Sequence, residues 1–246
     1  MEKINFKLIS AFSVYIFLST VGIFIIVNLL NSFLPETLLD TVGNYSETGY
    51  LFMQNITNLI TYFLLFIILI ILFQSELITD FKKSRYDKSF NFKEIITAFL
   101  YLLIFSFLGN IITSFFTDTE SINQSSIIDM ILSKYSIYSI ISTLFLVILV
   151  EEIIYRKALI SFLKNFNFFN NNTIILISGF FFGIVHVIFA GDFFHFFSYF
   201  FPGIVFAFYY IKKNQNIWFS ISLHFLNNLF SVISILILSL FDYSNL

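Results

Sequence analysis

Seven long apolar runs are the feature of this sequence that most constrains its fold. Each run holds about 20 mostly apolar residues, and together they occupy residues 8–30, 51–73, 95–116, 137–163, 173–190, 193–211 and 217–240. A helix of this length crosses a bilayer and satisfies its backbone polar groups internally. The sequence therefore predicts an all-α, polytopic transmembrane bundle of about seven spans, multi-pass in a membrane that we expect to be a bacterial cell membrane.

The composition agrees with a membrane protein and excludes several classes of function. Hydrophobic residues make up 58% of the 246 residues and charged residues only 11%, whereas soluble domains carry about 25% charged residues. The formal net charge is −2 without a basic patch, so we expect no nucleic-acid partner. The sequence contains no cysteine, which excludes disulfides, thiolate metal sites and a cysteine nucleophile.

Basic residues in the loops alternate along the chain and predict the orientation of the spans. Two lysines precede the first span, residues 74–94 carry five Lys or Arg, and two lysines follow the sixth span, whereas residues 31–50 and 117–135 are mainly acidic. The positive-inside rule then predicts a cytoplasmic amino terminus and an external carboxyl terminus. A basic start also fits a signal peptide, but the first run is too long and lacks an A-x-A-like site, which favours an uncleaved helix.

Ionisable residues divide the spans into two groups. The first three spans carry none in their middles, whereas the fourth, fifth and seventh spans do. We therefore predict two regions, a three-span scaffold in residues 1–135 and a catalytic helix bundle in residues 136–246.

The fourth span contains the stretch Glu151-Glu152-Ile153-Ile154-Tyr155-Arg156. Residues four apart share a helix face, so Glu152 is expected to pair with Arg156. Glu151 has no cation in its own helix at that spacing and is the unpaired carboxylate, which suits a general base. Charged residues within bilayer spans usually face a protein interior and serve chemistry or transport. The alternative is a helix-end cluster in which Glu152, Arg156 and Lys157 extend to the cytoplasmic interface.

The fifth span carries His186 among apolar residues. Phe182 precedes it by one turn and is expected to wall one side of the imidazole. Gly183 would permit the close approach of another helix. The alternative is a buried structural histidine that is hydrogen-bonded to a backbone carbonyl.

The seventh span carries His224 and Asn228, which share one helix face at a spacing of four residues. An imidazole and a carboxamide that point the same way can hold a developing oxyanion, although such residues also commonly bond helices together in membranes. Asn227 is off this face by about 100° and is expected to be structural. His195, at the start of the sixth span, is expected to be interfacial, and Tyr199 to be a packing or interface aromatic.

The depths of these residues in their spans indicate one common site. With a rise of 1.5 Å per residue, His186 lies about 20 Å from the cytoplasmic end of its span, and Glu151 about 18 Å if the fourth helix continues to Leu163. His224 and Asn228 lie about 10 and about 16 Å from the start of the seventh span. We therefore expect these side chains to converge in one intramembrane layer. The position of the motif helices and the short basic loops predict a cavity that opens to the cytoplasmic side.

Three motifs on successive spans resemble the CPBP family, the CAAX-protease and bacteriocin-processing intramembrane proteases. The motifs are Glu151-Glu152-x-x-x-Arg156, Phe182-x-x-x-His186 and His224-x-x-x-Asn228, and the resemblance covers about residues 137 to 240. It implies an all-helical intramembrane endopeptidase with a peptide or membrane-protein substrate.

The resemblance also implies a role for each motif residue. Glu151 and His186 would activate a water molecule, and His224 and Asn228 would stabilise the tetrahedral oxyanion. Glu152 and Arg156, together with Phe182 beside the histidine, would support the site.

Two questions stay open at this stage, the cofactor and the class of function. Glu151, His186 and His224 can form a two-His, one-carboxylate site for a divalent metal such as zinc. No His-Glu-x-x-His motif occurs, and a glutamate-activated water needs no metal, so the metal-free mechanism is preferred. The biological role would be bacteriocin processing or self-immunity. The alternative is a transporter or an immunity or binding scaffold that uses the same polar cluster without hydrolysis. Nothing in the sequence predicts an oligomeric state.

Overall fold

The structure is a computed structural model that describes residues 2–33, 38–39, 45–86, 91–166 and 168–243. These residues are almost entirely helical, and a single isolated antiparallel bridge joins Leu39 to Tyr45. The helices are α1 (Glu2–Phe17), α2 (Ile23–Asn31), α3 (Glu47–Tyr86), α4 (Phe92–Ser114), α5 (Ile122–Leu132), α6 (Ser136–Ile141), α7 (Val147–Glu151), α8 (Leu159–Lys164), α9 (Asn171–Ile188), α10 (Phe196–Lys212) and α11 (Ile217–Tyr243). The prediction of an all-α fold is confirmed.

Seven helical stretches within the described residues are long and apolar enough to cross a membrane. They are Phe6–Asn31, Glu47–Arg85, Phe92–Ser114, Ser136–Lys164, Asn171–Ile188, Phe193–Lys212 and Ile217–Phe241. They match the seven predicted spans in number and order, so the predicted bundle of spans is confirmed. The cytoplasmic location of the amino terminus stays a prediction.

Two segments expected to be loops are helical. α3 continues to Tyr86, well beyond the predicted end of the second span, because Leu77 is buried and its carbonyl accepts the indole N–H of Trp218 at 2.9 Å. α5 lies within residues 117–135 and begins at the N-cap Ser121, whose hydroxyl accepts the backbone N–H of Gln124 at 3.1 Å. Contacts to the rest of the bundle stabilise both segments, and such contacts cannot be read from local polarity.

The fourth span reaches Lys164, which confirms the expected continuation to about Leu163. It is not a uniform α-helix, however. π-helical turns occupy Ser142–Leu146 and Glu152–Ala158, and neither was predicted. Such turns are rare and often mark functional sites. The second turn begins within the acidic motif. Its first five residues are all buried, and they include both members of the Glu152–Arg156 pair.

α9 and α10 form a tightly packed pair that fixes the position of the fifth-span motif. A methyl group at Gly183 would lie 3.1 Å from the backbone of Phe200, and one at Gly179 would lie 3.1 Å from the backbone nitrogen of Ile204. Only glycine permits this approach. The expected close contact at Gly183 is confirmed, and it brings His186 on α9 beside Tyr199 on α10.

The two ends of the bundle differ. At one end of the bundle α1 and α11 begin, and α3 and α10 finish. We call this end the amino-terminal end. There a group that we call the ion-pair seal joins four elements, and it consists of Asp80, Lys157, Asn216, Glu94 and Lys213. Lys157 binds the Asp80 carboxylate, Asn216 donates to the Asp80 carbonyl at 3.2 Å, and Lys213 lies 3.1 Å from Glu94. Asp80 is only 3% exposed.

Candidate active site

A cavity of about 1420 Å³ opens at the other end of the bundle. Its walls include Glu151, Phe182, His186, His224 and Asn228, which come from the fourth, fifth and seventh spans. The four residues predicted to be catalytic and Phe182 therefore lie around one space, as the depth argument predicted. Their chemical roles stay predictions.

Glu151 is the carboxylate that faces this cavity, and it is only 5% exposed. One of its oxygens, Oε1, lies 3.7 Å from Nε2 of His186, and the other, Oε2, lies 3.8 Å from Nε2 of His224. Both separations exceed a direct hydrogen bond, but they suit a bridging water molecule.

His186 is held in one orientation by its second ring nitrogen. Nδ1 lies 2.6 Å from the backbone carbonyl of Phe182. A carbonyl only accepts, so Nδ1 carries the hydrogen, and Nε2 of the neutral ring is an acceptor that faces Glu151. The ring packs between Phe182 at 4.7 Å and Tyr199 at 4.6 Å, the latter nearly parallel at 18°. The predicted contact with Phe182 is confirmed. His186 also makes the hydrogen bond to a backbone carbonyl that was expected for a purely structural histidine, although it lies in the cavity wall.

His224 is held by Glu152, which was not predicted. Its Nδ1 lies 2.9 Å from Oε1 of Glu152, and the hydroxyl of Ser220 donates to the other oxygen of that carboxylate. Phe206 stacks on the imidazole at 4.6 Å. The expected pair of Glu152 with Arg156 is confirmed at 3.3 Å. Glu152 nevertheless contacts both the Arg156 guanidinium and the His224 imidazole, so Arg156 is not its single polar partner.

Arg156 lies behind the cavity wall in an aromatic enclosure. Its guanidinium lies 4.6 Å from the ring of Phe182 and 5.1 Å from the ring of Phe206, which are distances typical of cation–π contacts. Both Arg156 and Glu152 are fully buried. The alternative in which these two side chains extend to the interface is therefore wrong.

Asn228 is oriented by two hydrogen bonds. Its amide nitrogen donates to the carbonyl of Thr143, in the first π-helical turn, at 3.1 Å, and its oxygen accepts from Asn227 at 3.2 Å. The Thr143 bond is the helix-to-helix contact foreseen in the structural alternative. Asn227 was expected to be structural only, yet it also lines the cavity. One amide hydrogen of Asn228 is left to donate elsewhere, since an amide nitrogen carries two.

The first two spans contribute tyrosines that sequence reasoning missed. Tyr15 and Tyr62 line the cavity within electrostatic reach of Glu151, and the Tyr15 hydroxyl lies 3.1 Å from that of Tyr155. The chain contains 13 tyrosines, so composition gave no signal for these. Residues 1–135 thus form part of the wall, and the division at residue 135 stays a prediction.

A second polar network lies at the mouth of the cavity. His195 is buried within the protein, and its two ring nitrogens bind the Asp192 carboxylate and, at 2.8 Å, the carbonyl of Thr119. Its interfacial position in the membrane stays a prediction. The Tyr199 hydroxyl bonds to Ser121 at 2.6 Å. Tyr199, expected to be a packing residue, therefore connects His186 to the start of α5.

The sequence left open a metal site at Glu151, His186 and His224, and the preference for a metal-free mechanism stays a prediction. Among the residues that the structure describes, no group of three or more His, Asp or Glu side chains could hold a metal ion. The Nε2 atoms of His186 and His224 face different oxygens of Glu151. We therefore derive no step that passes through a metal.

The cavity lies at one end of the bundle, and its position constrains the predicted topology. It lies at the end opposite the amino terminus, because its lining residues include Val27 late in the first span, Tyr50 early in the second and Leu238 late in the seventh. A cytoplasmic amino terminus and a cavity open to the cytoplasm are therefore incompatible in this structure.

A comparison with protein families identifies the segment that carries all three motifs. Residues 133–230 match the family model described as Type II CAAX prenyl endopeptidase Rce1-like. This segment is similar to the Rce1-like family. The Rce1-like match confirms the resemblance to CAAX-type proteases over about two fifths of the 246 residues. No curated protein and no solved structure matches the chain. The seven apolar helices indicate an integral membrane protein, and residues 133–230 of it are similar to CAAX-type endopeptidases.

Proposed function

We propose that this protein is an intramembrane endopeptidase that hydrolyses peptide bonds with a water molecule activated by Glu151 and His186. The observation that carries the proposal is the placement of two imidazole nitrogens at 3.7 and 3.8 Å from the two oxygens of one buried carboxylate, inside a cavity. The Rce1-like segment supports the same reaction class.

The attacking water would lie between Glu151 and His186. A water about 2.8 Å from Oε1 of Glu151 and from Nε2 of His186 bridges atoms that are 3.7 Å apart. Both atoms are acceptors, since Nδ1 of His186 holds the ring hydrogen. The water therefore donates to both and turns a lone pair towards the substrate carbonyl. As its oxygen bonds to the carbonyl carbon, Glu151 takes the proton.

The oxyanion that forms would be stabilised by His224 and Asn228. Asn228 has one amide hydrogen left to donate. His224 already directs Nδ1–H to Glu152, so its Nε2 donates only when the ring is an imidazolium. That state makes the buried cluster neutral, because Glu151 and Glu152 then balance Arg156 and His224.

The reaction ends with transfer of a proton to the leaving group. The tetrahedral intermediate collapses, the C–N bond breaks, and Glu151 returns the proton to the amine nitrogen. The products are a new carboxyl terminus and a new amino terminus, with the atoms of one water divided between them.

The direct test is cleavage of a peptide library by purified protein carrying Glu151→Gln or His186→Ala. We expect each change to lower kcat about 10³-fold or more, because the water loses its base or its second acceptor. Glu47→Gln, an exposed residue outside the cavity lining, is the control and should cut at the wild-type rate. Wild-type cleavage by Glu151→Gln would show that the assigned roles are wrong.

The same variants address the non-proteolytic alternatives. If Glu151→Gln retains a cellular phenotype such as bacteriocin self-immunity, then a binding scaffold explains it better than hydrolysis. Uptake that depends on a pH gradient would favour a transporter. A metal requirement is tested by elemental analysis of the purified active protein, with zinc at one equivalent overturning the metal-free proposal. The bacteriocin role itself stays a prediction.

A further inference from the structure

The cavity belongs to one end of the bundle. Its lining residues come from the later parts of the odd-numbered spans and the earlier parts of the even-numbered ones. Examples are Val27, Tyr50, Ser114, Thr143, Phe189 and Leu238. Consecutive spans run in opposite directions, so all of these positions lie at the end opposite the amino-terminal end. The loop that carries Thr117 to Ser121 forms part of the rim.

The amino-terminal end is closed by the ion-pair seal. Asp80 is buried and bridges α3 to the fourth span through Lys157 and to the start of α11 through Asn216. Lys7 adds a contact of 2.6 Å to Glu76 between α1 and α3. The described residues thus leave the site open at one end and closed at the other.

The charges of the two ends are opposite. The closed end carries the basic residues that follow the second and sixth spans, among them Lys82, Lys83 and Lys213. Basic loops remain on the cytoplasmic side of a membrane. The open end carries Asp118 and Glu120, which are exposed on the cavity rim.

The lining also restricts the substrate. It contains carboxylates but, in the part of the chain that the structure describes, no Lys or Arg. A free terminal carboxylate would therefore meet no Lys or Arg side chain there, because Arg156 lies behind Phe182 and Phe206. Many of the remaining lining side chains are Ser, Thr, Asn or Gln, which can bond to an extended backbone.

We propose that the cavity opens to the extracytoplasmic face and takes an internal, neutral or basic polypeptide segment from that side. Suitable substrates are a secreted peptide or the outer juxtamembrane segment of a membrane protein. The direction of opening stands independently of catalysis, whereas the choice of a polypeptide rests on the proposed function.

The direction of opening can be measured by single-cysteine labelling, since the natural chain has no cysteine. Gln124→Cys and Ser231→Cys place a thiol in the cavity lining, and Lys82→Cys places one on the exposed surface near the amino-terminal end. A membrane-impermeant maleimide applied to intact cells should label the two cavity positions. It should label Lys82→Cys only after the cells are made permeable. The reverse pattern would overturn the proposed opening.

The charge preference can be measured with matched peptides that carry two Lys or two Glu beside the same scissile bond. We expect the Lys peptide to have the higher kcat/KM, and Asp118→Asn combined with Glu120→Gln to reduce that preference about two- to fivefold. Asp129→Asn, on α5 at the same end but outside the lining, should leave the preference unchanged. A preference for the Glu peptide overturns the substrate class. If neither peptide is cleaved, the proposed function is wrong, whereas the labelling result still stands.

Discussion

Glu151 and Glu152 are neighbours in sequence and are both buried, yet they belong to two different regions of the molecule. Glu152 lies behind the cavity wall, where Arg156, His224 and Ser220 surround its carboxylate. Glu151 faces the cavity, with its imidazole neighbours at water-bridging distances of 3.7 and 3.8 Å. A saturated carboxylate is suited to hold other groups in place, whereas one with unused lone pairs is suited to bind and activate a water molecule.

The largest expected effect is on stability, and it separates the two carboxylates. Glu152→Ala leaves the fully buried Arg156 without a counter-charge, so we expect unfolding to become easier by about 3–5 kcal/mol. Glu151→Ala removes a carboxylate with no such partner and should cost about 1 kcal/mol or less. Thermal unfolding in detergent or lipid nanodiscs measures both. Equal losses of stability in the two variants would show that Glu151 and Glu152 do not differ in their structural roles.

The next largest effect is on the catalytic rate and concerns Glu152, the carboxylate that holds His224 in place. Glu152→Gln keeps the size of the side chain but removes the carboxylate charge beside Nδ1 of His224. We expect kcat to fall about 10²-fold, with KM changed little, because the oxyanion donor is weakened. Steady-state kinetics at several pH values measure this. A variant that instead raises only KM would indicate that Glu152 acts on substrate binding.

The smallest effect concerns one donor to Glu152. Ser220→Ala removes the hydroxyl that binds the carboxylate, and we expect a loss of about 1 kcal/mol in stability. Ser222→Ala is the matched control on the same helix, because its hydroxyl bonds only to the Trp218 carbonyl of its own helix. That control should lose less than about 0.5 kcal/mol. Comparable losses would show that Glu152 does not depend on Ser220.

Much of the site could be predicted from local patterns. The seven spans follow from apolar length, and the grouping of Glu151, His186, His224 and Asn228 follows from helical rise counted along spans of alternating direction. The same counting required the fourth helix to continue to about Leu163, which the structure bears out. These inferences succeed because bilayer thickness and helix geometry are fixed quantities.

Other features depend on contacts between distant residues. The bond between Glu152 and His224 joins residues 72 positions apart, and the spacing of four residues within one helix gave no hint of it. α5 and the end of α3 look like loops by polarity because their stabilising partners lie on other spans. No local signal such as Gly or Pro marks the π-helical turn that begins at Glu152.

The direction of the cavity illustrates how two predictions from the same sequence can conflict. The depth estimates already placed Glu151 and His186 about 18 and 20 Å from the cytoplasmic ends of their helices, closer to the far face of a hydrocarbon core about 30 Å thick. The inference of a cytoplasmic opening relied instead on the short basic loops. Those loops form the closed end, where Lys157 and Lys213 are paired with acidic residues.

The ion-pair seal also has an electrical consequence. A wet cavity that reaches Glu151 shortens the insulating part of the membrane to the layer between that carboxylate and Asp80. The membrane potential then falls across this thinner layer, and moving one charge through the whole potential is worth about 2.3 kcal/mol per 100 mV. The buried layer between Glu151 and the paired groups around Asp80 would then carry most of the membrane potential.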